Sequence, residues 1–249
     1  MSDALFPLHQ GAVPYLSTAQ MVAVDRLMIE TYQIELLQMM ENAGRCLAEL
    51  ARQRFLRGDP RRKHVTVLAG SGGNGGGALV CARRLHNYGA NVRIVLSRAA
   101  GQFTSAAVRQ LQILQNMGLQ LESTVPSQEP AAPDLVVDGL IGYSLRGAPR
   151  GAAADLIRWA NALPAPVLAL DVPSGLDSTN GQVSDPTMRA AATMTLALPK
   201  AGLRPSQARL VVGELYLADI SVPPELYSHP GLDLQVGPLF AGSDILRLW

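Results

Sequence analysis

The chain has 249 residues, 48% of them hydrophobic and 16% charged, which is enough apolar content to bury the core of one large α/β domain. Its net charge of +1 offers no electrostatic footprint for nucleic acid, no apolar run reaches the ~18 residues of a membrane span, and no basic-then-apolar leader is visible. Cys46 and Cys81 are too few for a disulfide framework or a zinc site, and His9, His64, His86 and His229 lack metal-ligand spacing, so a cytoplasmic protein is the simplest expectation.

Residues 1–16 show no regular pattern. Ser17-Thr18-Ala19-Gln20 fits a capping box and predicts a helix from there to about Tyr32. Leu36, Met40, Ala43, Leu47 and Leu50 recur at spacings of four and three, which predicts a second helix stopped by Gly58-Asp59-Pro60. From residue 64 onward strands and helices alternate. Strand-like runs lie near 64–69, 91–97, 134–138, 166–170 and 193–198, with weaker ones near 119–124 and 209–217. Helical patterns lie near 78–88, 103–117 and 152–162. Such alternation predicts a Rossmann-like three-layer α/β sandwich: a mostly parallel sheet between helices, preceded by the N-terminal helices. Pro126 to Pro133 is the only Pro-rich stretch and is too short for a linker, so residues 1–249 read as one domain. The last 30 residues, with Pro223-Pro224, Pro230 and Pro238, carry no assignment.

Four strand ends carry the chemistry. The first runs into Gly70-Ser71-Gly72-Gly73-Asn74-Gly75-Gly76-Gly77, where backbone N–H groups and a helix start suit a phosphate. It matches G-x-G-x-x-G, but the acid expected about 20 residues on is replaced by Ser97-Arg98, which disfavours NAD in the ordinary dehydrogenase pose while Arg98 suits a 2′-phosphate. A glycine-rich tight turn with no ligand is the plainer alternative. The second strand end is Asp138, followed by Gly139-Leu140-Ile141-Gly142-Tyr143-Ser144-Leu145-Arg146-Gly147. Asp138 reads either as a carboxylate in the crevice above the sheet or as the cap of the next turn. The third is Asp171-Val172-Pro173-Ser174-Gly175, and the fourth Pro199-Lys200. Together they direct Gly/Asn, Asp, Asp/Ser and Lys to one sheet edge and so to one site. Two carboxylates there suit general acid–base work, and the oxygens of Asn74, Asp138 and Ser174 suit a hard cation. With no acid–base His evident, proton transfer falls to Asp171 or Asp138.

These motifs, in this order, resemble the N-terminal domain of the YjeF family over roughly residues 17–220, including Met40-Glu41-Asn42-Ala43-Gly44, close to the family's M-E-N-A-G. The enzymatic members of that family are NAD(P)H-hydrate epimerases. The resemblance implies a Rossmann-like fold and interconversion of the R and S epimers of hydrated NADH and NADPH, NAD(P)HX, at C6 of the reduced ring. It implies K⁺ in the site, on Asn74, Asp138 and Ser174. Substrate contacts would fall on Gly73, Asn74, Gly75, Gly76 and Gly77, on Gly142, Tyr143, Ser144, Leu145, Arg146, Gly147 and Ala148, and on Asp171, the expected proton-transfer residue. A carboxylate at that strand end is expected to act on ligand and to support little packing. A homodimer and a separate NAD(P)HX dehydratase are the expected partners. The loop departs from the family's usual G-x-G-N-N-G-G-D-G: Gly73 replaces Asn, Gly77 replaces Asp and Ala78 replaces the last Gly. The alternative reading is therefore a catalytically weakened module that binds a nucleotide-like ligand or a protein partner, with an NADP-dependent oxidoreductase behind it.

Overall fold

The computed structural model describes residues 5–123, 125 and 132–249, and most of the Pro-rich stretch lies outside them. Ser17 caps α1 (Thr18–Glu30) in a complete capping box with Gln20, as the sequence predicts. In α2 (Leu36–Leu50) the stripe of Met39, Met40, Ala43, Leu47 and Leu50 is buried. The helix runs on through a π-helical turn, Ala51–Phe55, before Gly58 ends it at φ +78°.

The strands are β1 (His64–Ala69), β2 (Asn91–Leu96), β3 (Leu121–Glu122), β4 (Leu135–Gly139), β5 (Val167–Leu170), β6 (Ala192–Leu196), β7 (Glu214–Ala218) and β8 (Ile245–Arg247). They form one sheet in the order β3-β2-β1-β4-β5-β6-β7-β8. All neighbours are parallel except β7 and β8, which are antiparallel. The helices between them are α3 (Gly73–Asn87), α4 (Ser105–Asn116), α5 (Gly151–Ala162) and α6 (Ser206–Val212). Side chains alternate across the sheet, as the period of a strand requires. Val67, Ile94, Val137 and Leu168 face α2, α3 and α4, whereas Leu68, Val95, Val136 and Val167 face α5. No helix among the described residues is long and apolar enough to cross a membrane.

Two expectations are corrected. The run Leu210-Val211-Val212 is not the start of a strand: it is the end of α6, with Val211 and Val212 buried, and Gly213 at φ +66° turns the chain into β7. A run that short fits either structure, and packing decides it. The glycine segment is also less of a loop than expected, because α3 begins at Gly73 rather than near residue 78.

That early helix start explains most of the glycines. A Cβ on Gly75 would lie 1.8 Å from the Gly70 carbonyl oxygen, and one on Gly76 would lie 2.6 Å from Met40 Sδ. One on Gly44 of α2 would lie 2.4 Å from Val80 Cβ of α3. The glycines let α3 press against β1 and α2 and so bring its N-terminus over the sheet.

Gly75→Ala is expected to destabilise the protein by at least ~2 kcal/mol through overpacking against backbone, whereas Gly72→Ala, with nothing within 4 Å of its Cβ, should stay within about 0.5 kcal/mol. Urea denaturation of the two variants checks this, and equal midpoints would refute the packing account.

Candidate functional site

The strand order reverses between β1 and β4, and there the carboxyl ends of the strands open a crevice. A cavity of about 710 Å³ occupies it. Ten of the expected substrate contacts line this cavity: Gly73, Asn74, Gly77, Gly142, Tyr143, Ser144, Leu145, Arg146, Ala148 and Asp171. Gly75 and Gly76 are buried in packing contacts instead, and exposed Gly147 lies outside the lining. Asp138 and Ser174 are fully buried behind the turn of Leu140 and Ile141. The N-terminus of α3 supplies N–H groups with no helical partner, a local positive pole. Arg98, Arg146 and Arg150 sit exposed at the same cavity, with no carboxylate partner among the described residues.

Asp171 follows the last residue of β5 and adopts φ +67°, a strained conformation for a residue with a side chain. Its N–H donates to the Met194 carbonyl at 2.7 Å, which fixes the turn. Lys200 Nζ donates to Asp171 Oδ1, and the Tyr143 N–H donates to Oδ2 at 3.1 Å. The same ammonium donates to the Leu196 carbonyl at 2.8 Å and lies 3.4 Å from Thr195 Oγ1. Lys200 is fully buried and the Asp171 side chain is 5% exposed. Asp171 therefore carries more than ligand chemistry, against the expectation that it supports little packing: it is the counter-ion of a buried lysine.

Asp138 is the opposite case. Its Oδ1 accepts from Ser174 Oγ at 2.7 Å and from the Leu140 N–H at 3.1 Å, and its Oδ2 accepts from the Ser174 N–H at 2.8 Å. No cation pairs with it among the described residues, and burial pushes its carboxyl up to about 6 despite those bonds. Asn74 Nδ2 is buried without a partner, and Asn74 Oδ1 and Asp171 Oδ2 each lie 3.2 Å from where a Gly142 Cβ would sit. A buried carboxylate without a counter-ion and the oxygens of Ser174 and Asn74 are a donor set of the kind a hard monovalent cation takes. The described residues hold no group of three or more His, Cys, Asp or Glu side chains suited to a metal. Burial also pushes the Cys46 thiol up to about 11, and Cys81 higher still, so both are inert.

Sequence reasoning noticed Lys200 without a role and missed Asp25 altogether. Asp25 lines the cavity from α1 and accepts from Tyr143 Oη at 2.5 Å. A signal was present: Met21, Val24, Leu27 and Met28 form the buried stripe of α1, and Asp25 stands within it. Tyr143 is fastened a third time, its carbonyl accepting from Ser178 Oγ at 2.7 Å.

Residues 36–202 match the model of the family described as YjeF-related protein N-terminus. The chain is 43% identical over 232 residues to a protein of Dehalogenimonas lykanthroporepellens named NAD(P)H-hydrate epimerase, covering 93% of this chain and 91% of that one. It is 33% identical to a protein of the same name from Rhodopirellula baltica, over 86% of this chain and 87% of the relative. A bifunctional NAD(P)H-hydrate repair enzyme of Salinibacter ruber is 36% identical, and there the match covers 41% of the relative. The crystal structure of the yeast protein YNL200c superposes with a TM-score of 0.80 at 26% identity, over 95% of this chain and 100% of that one. The chain belongs to the YjeF-related N-terminal family.

Asp171→Asn strands a buried ammonium and should cost about 3–5 kcal/mol of stability, while Asp171→Asn/Lys200→Met, which removes both charges, should recover most of it. Urea denaturation measures both. A single variant within about 1 kcal/mol of wild type would show that the pair behaves like a surface ion pair.

Proposed function

We propose that this member of the YjeF-related N-terminal family interconverts the R and S epimers of NAD(P)HX. The observation that carries the reading is the joining, in one cavity at the reversal of strand order, of a charged Asp171–Lys200 pair with the positive pole of α3. Relatives named as epimerases match over nearly their whole length, and no finding favours the weakened binding module. The diphosphate lies on the start of α3 at Gly73 and Asn74, within reach of the unpaired guanidinium groups of Arg98 and Arg146. The segment from Gly142 to Ala148 covers the substrate, and the reduced ring lies against Asp171.

At the ring, the C6 hydroxyl takes up a proton and departs as water, the N1 lone pair forms an N1=C6 iminium, and water re-adds to the other face and gives up a proton. Asp171 opposes the positive charge that develops, and Lys200 with the Tyr143 N–H holds its carboxylate in place before the charge appears. Asn74, Asp138 and Ser174 are the residues that would hold K⁺, which would neutralise Asp138 and stiffen the turn from Gly139 to Gly142. The expected homodimer and the cytoplasmic setting belong to the same proposal. The epimerised hydrate passes on to a separate NAD(P)HX dehydratase; a Salinibacter ruber relative that this chain matches over part of its length is named as a bifunctional repair enzyme.

Pure R-NADHX incubated with the protein should approach the epimer mixture faster than in buffer alone, as read by chromatography, and Asp171→Asn should slow it by about 100-fold or more. A wild-type rate equal to buffer would end the enzyme reading.

K⁺ is tested through stability. Without a cation, Asp138 is held above its unfolded value, so it stabilises the fold as a neutral acid. That contribution is complete below about pH 4 and is lost as pH rises through about 6. Replacing a bulky organic cation with K⁺ should therefore raise Tm at pH 8 and change it little at pH 5. Equal Tm values in the two salts at pH 8 would remove K⁺ from this cluster.

A further inference from the structure

We propose that Asp25 is a second catalytic residue, the proton donor and acceptor that works with the Asp171–Lys200 pair across the same cavity; the inference rests on the epimerase reading above. Two carboxylates line the cavity, and their surroundings differ. Asp171 has a buried ammonium and a backbone N–H on its oxygens. Asp25 has only the Tyr143 phenol, which donates to Oδ2. Burial raises Asp25 above the usual carboxylate range, with the Tyr143 bond opposing that rise. The ionisable groups that face it are Tyr143 from the turn after β4, Asp171 after β5 and Lys200 after β6. A carboxylate within the apolar stripe of α1 is costly and caps nothing, being eight residues from the N-cap Ser17. A pair of carboxyl groups held in different states by their surroundings divides the roles of acid and base.

The reaction then balances as follows. Asp25 gives its proton to the C6 hydroxyl as the C6–O bond breaks, the bonding pair leaves with oxygen, and water departs. The N1 lone pair becomes the second bond of N1=C6. Water adds to the opposite face of C6, the pair returns to N1, and the proton that water releases goes to the Asp171–Lys200 pair. Exchange with solvent restores both carboxyl groups, and the reverse reaction uses them in the opposite order. Tyr143 joins the two sides, with its N–H on Asp171 and its phenol on Asp25.

The test is the rate of R-NADHX epimerisation, corrected for the uncatalysed rate, across pH for wild type, Asp25→Asn and Tyr143→Phe. Asp25→Asn should lose at least about 100-fold in kcat with KM little changed, the usual share of a general acid. Tyr143→Phe keeps Asp25 but removes the bond that favours its charged form, so the high-pH limb of kcat/KM should move to higher pH. A purely structural role would scale that profile without moving it. Should Asp25→Asn fail to fold, the shift in Tyr143→Phe decides. An Asp25→Asn enzyme with wild-type kcat and profile, or a Tyr143→Phe profile that does not move, overturns this inference while leaving the epimerase reading intact. A wild-type protein with no activity overturns both.

Discussion

The buried pair of Lys200 and Asp171 is the constraint on which the rest of the site depends. A lysine with no exposed surface forfeits the hydration of its ammonium, and only a paired carboxylate and further acceptors make that tolerable. Each surrounding feature serves one of these needs. Asp171 takes a positive φ so that its carboxylate turns toward Nζ, and the Leu196 carbonyl takes another of the ammonium protons. The segment before α1 then seals the lysine: the Leu16 N–H donates to the Pro199 carbonyl and the Ala201 N–H to the Leu16 carbonyl, both at 2.8 Å. A carboxylate fixed in this way needs no reorganisation when positive charge develops beside it, which is where electrostatic catalysis gains most.

Asp138 shows what the same side chain does one strand away without a lysine. It is as deeply buried, it receives three hydrogen bonds, and it still rises well above the ordinary carboxylate value. Neutral donors do not replace a counter-ion in low dielectric. Asp171 thus has a counter-ion and Asp138 has none among the described residues, although both end strands of the same sheet. The turn from Leu140 to Tyr143 touches both, through the N–H of Leu140 on one and of Tyr143 on the other. A change at either carboxylate reaches the other through this turn.

The parallel core was legible because β-branched runs and amphipathic helices alternate with little ambiguity from β1 to β6. The four strand ends were legible because glycines end the first apolar run and charged residues interrupt the other three. What was hidden depended on distance in space. Nothing at positions 171 and 200 announces an ion pair, since the residues are far apart in sequence and meet only when β5 and β6 pair. Asp25 was obscured by its own helix, where one acid among apolar residues passes for a surface position unless the stripe is traced residue by residue. The short edge strand β8 lacks any periodicity that three residues could show, and its pairing with β7 comes from the tertiary fold. The glycines were legible as a group but not individually: Gly72 and Gly73 are open, whereas Gly75 and Gly76 answer to packing.

That division bears on two of the three places where the loop departs from its family. Gly73 has only Leu36 Cδ1 near the position of a Cβ, at 3.9 Å, so the missing amide leaves the backbone of the α3 N-terminus undisturbed. Gly77 differs. A Cβ there would lie 3.0 Å from Leu170 Cδ2 and 3.6 Å from Ala43 Cβ, so Leu170 occupies the room a longer side chain would need. Leu170 is also the residue before Asp171, and displacing it would disturb the turn that aims the carboxylate at Lys200. The glycine at 77 thus leaves the tip of Leu170 in place beside the site's central ion pair. The positive pole of the helix start is unchanged, because it rests on backbone N–H groups that a glycine supplies as well as any other residue.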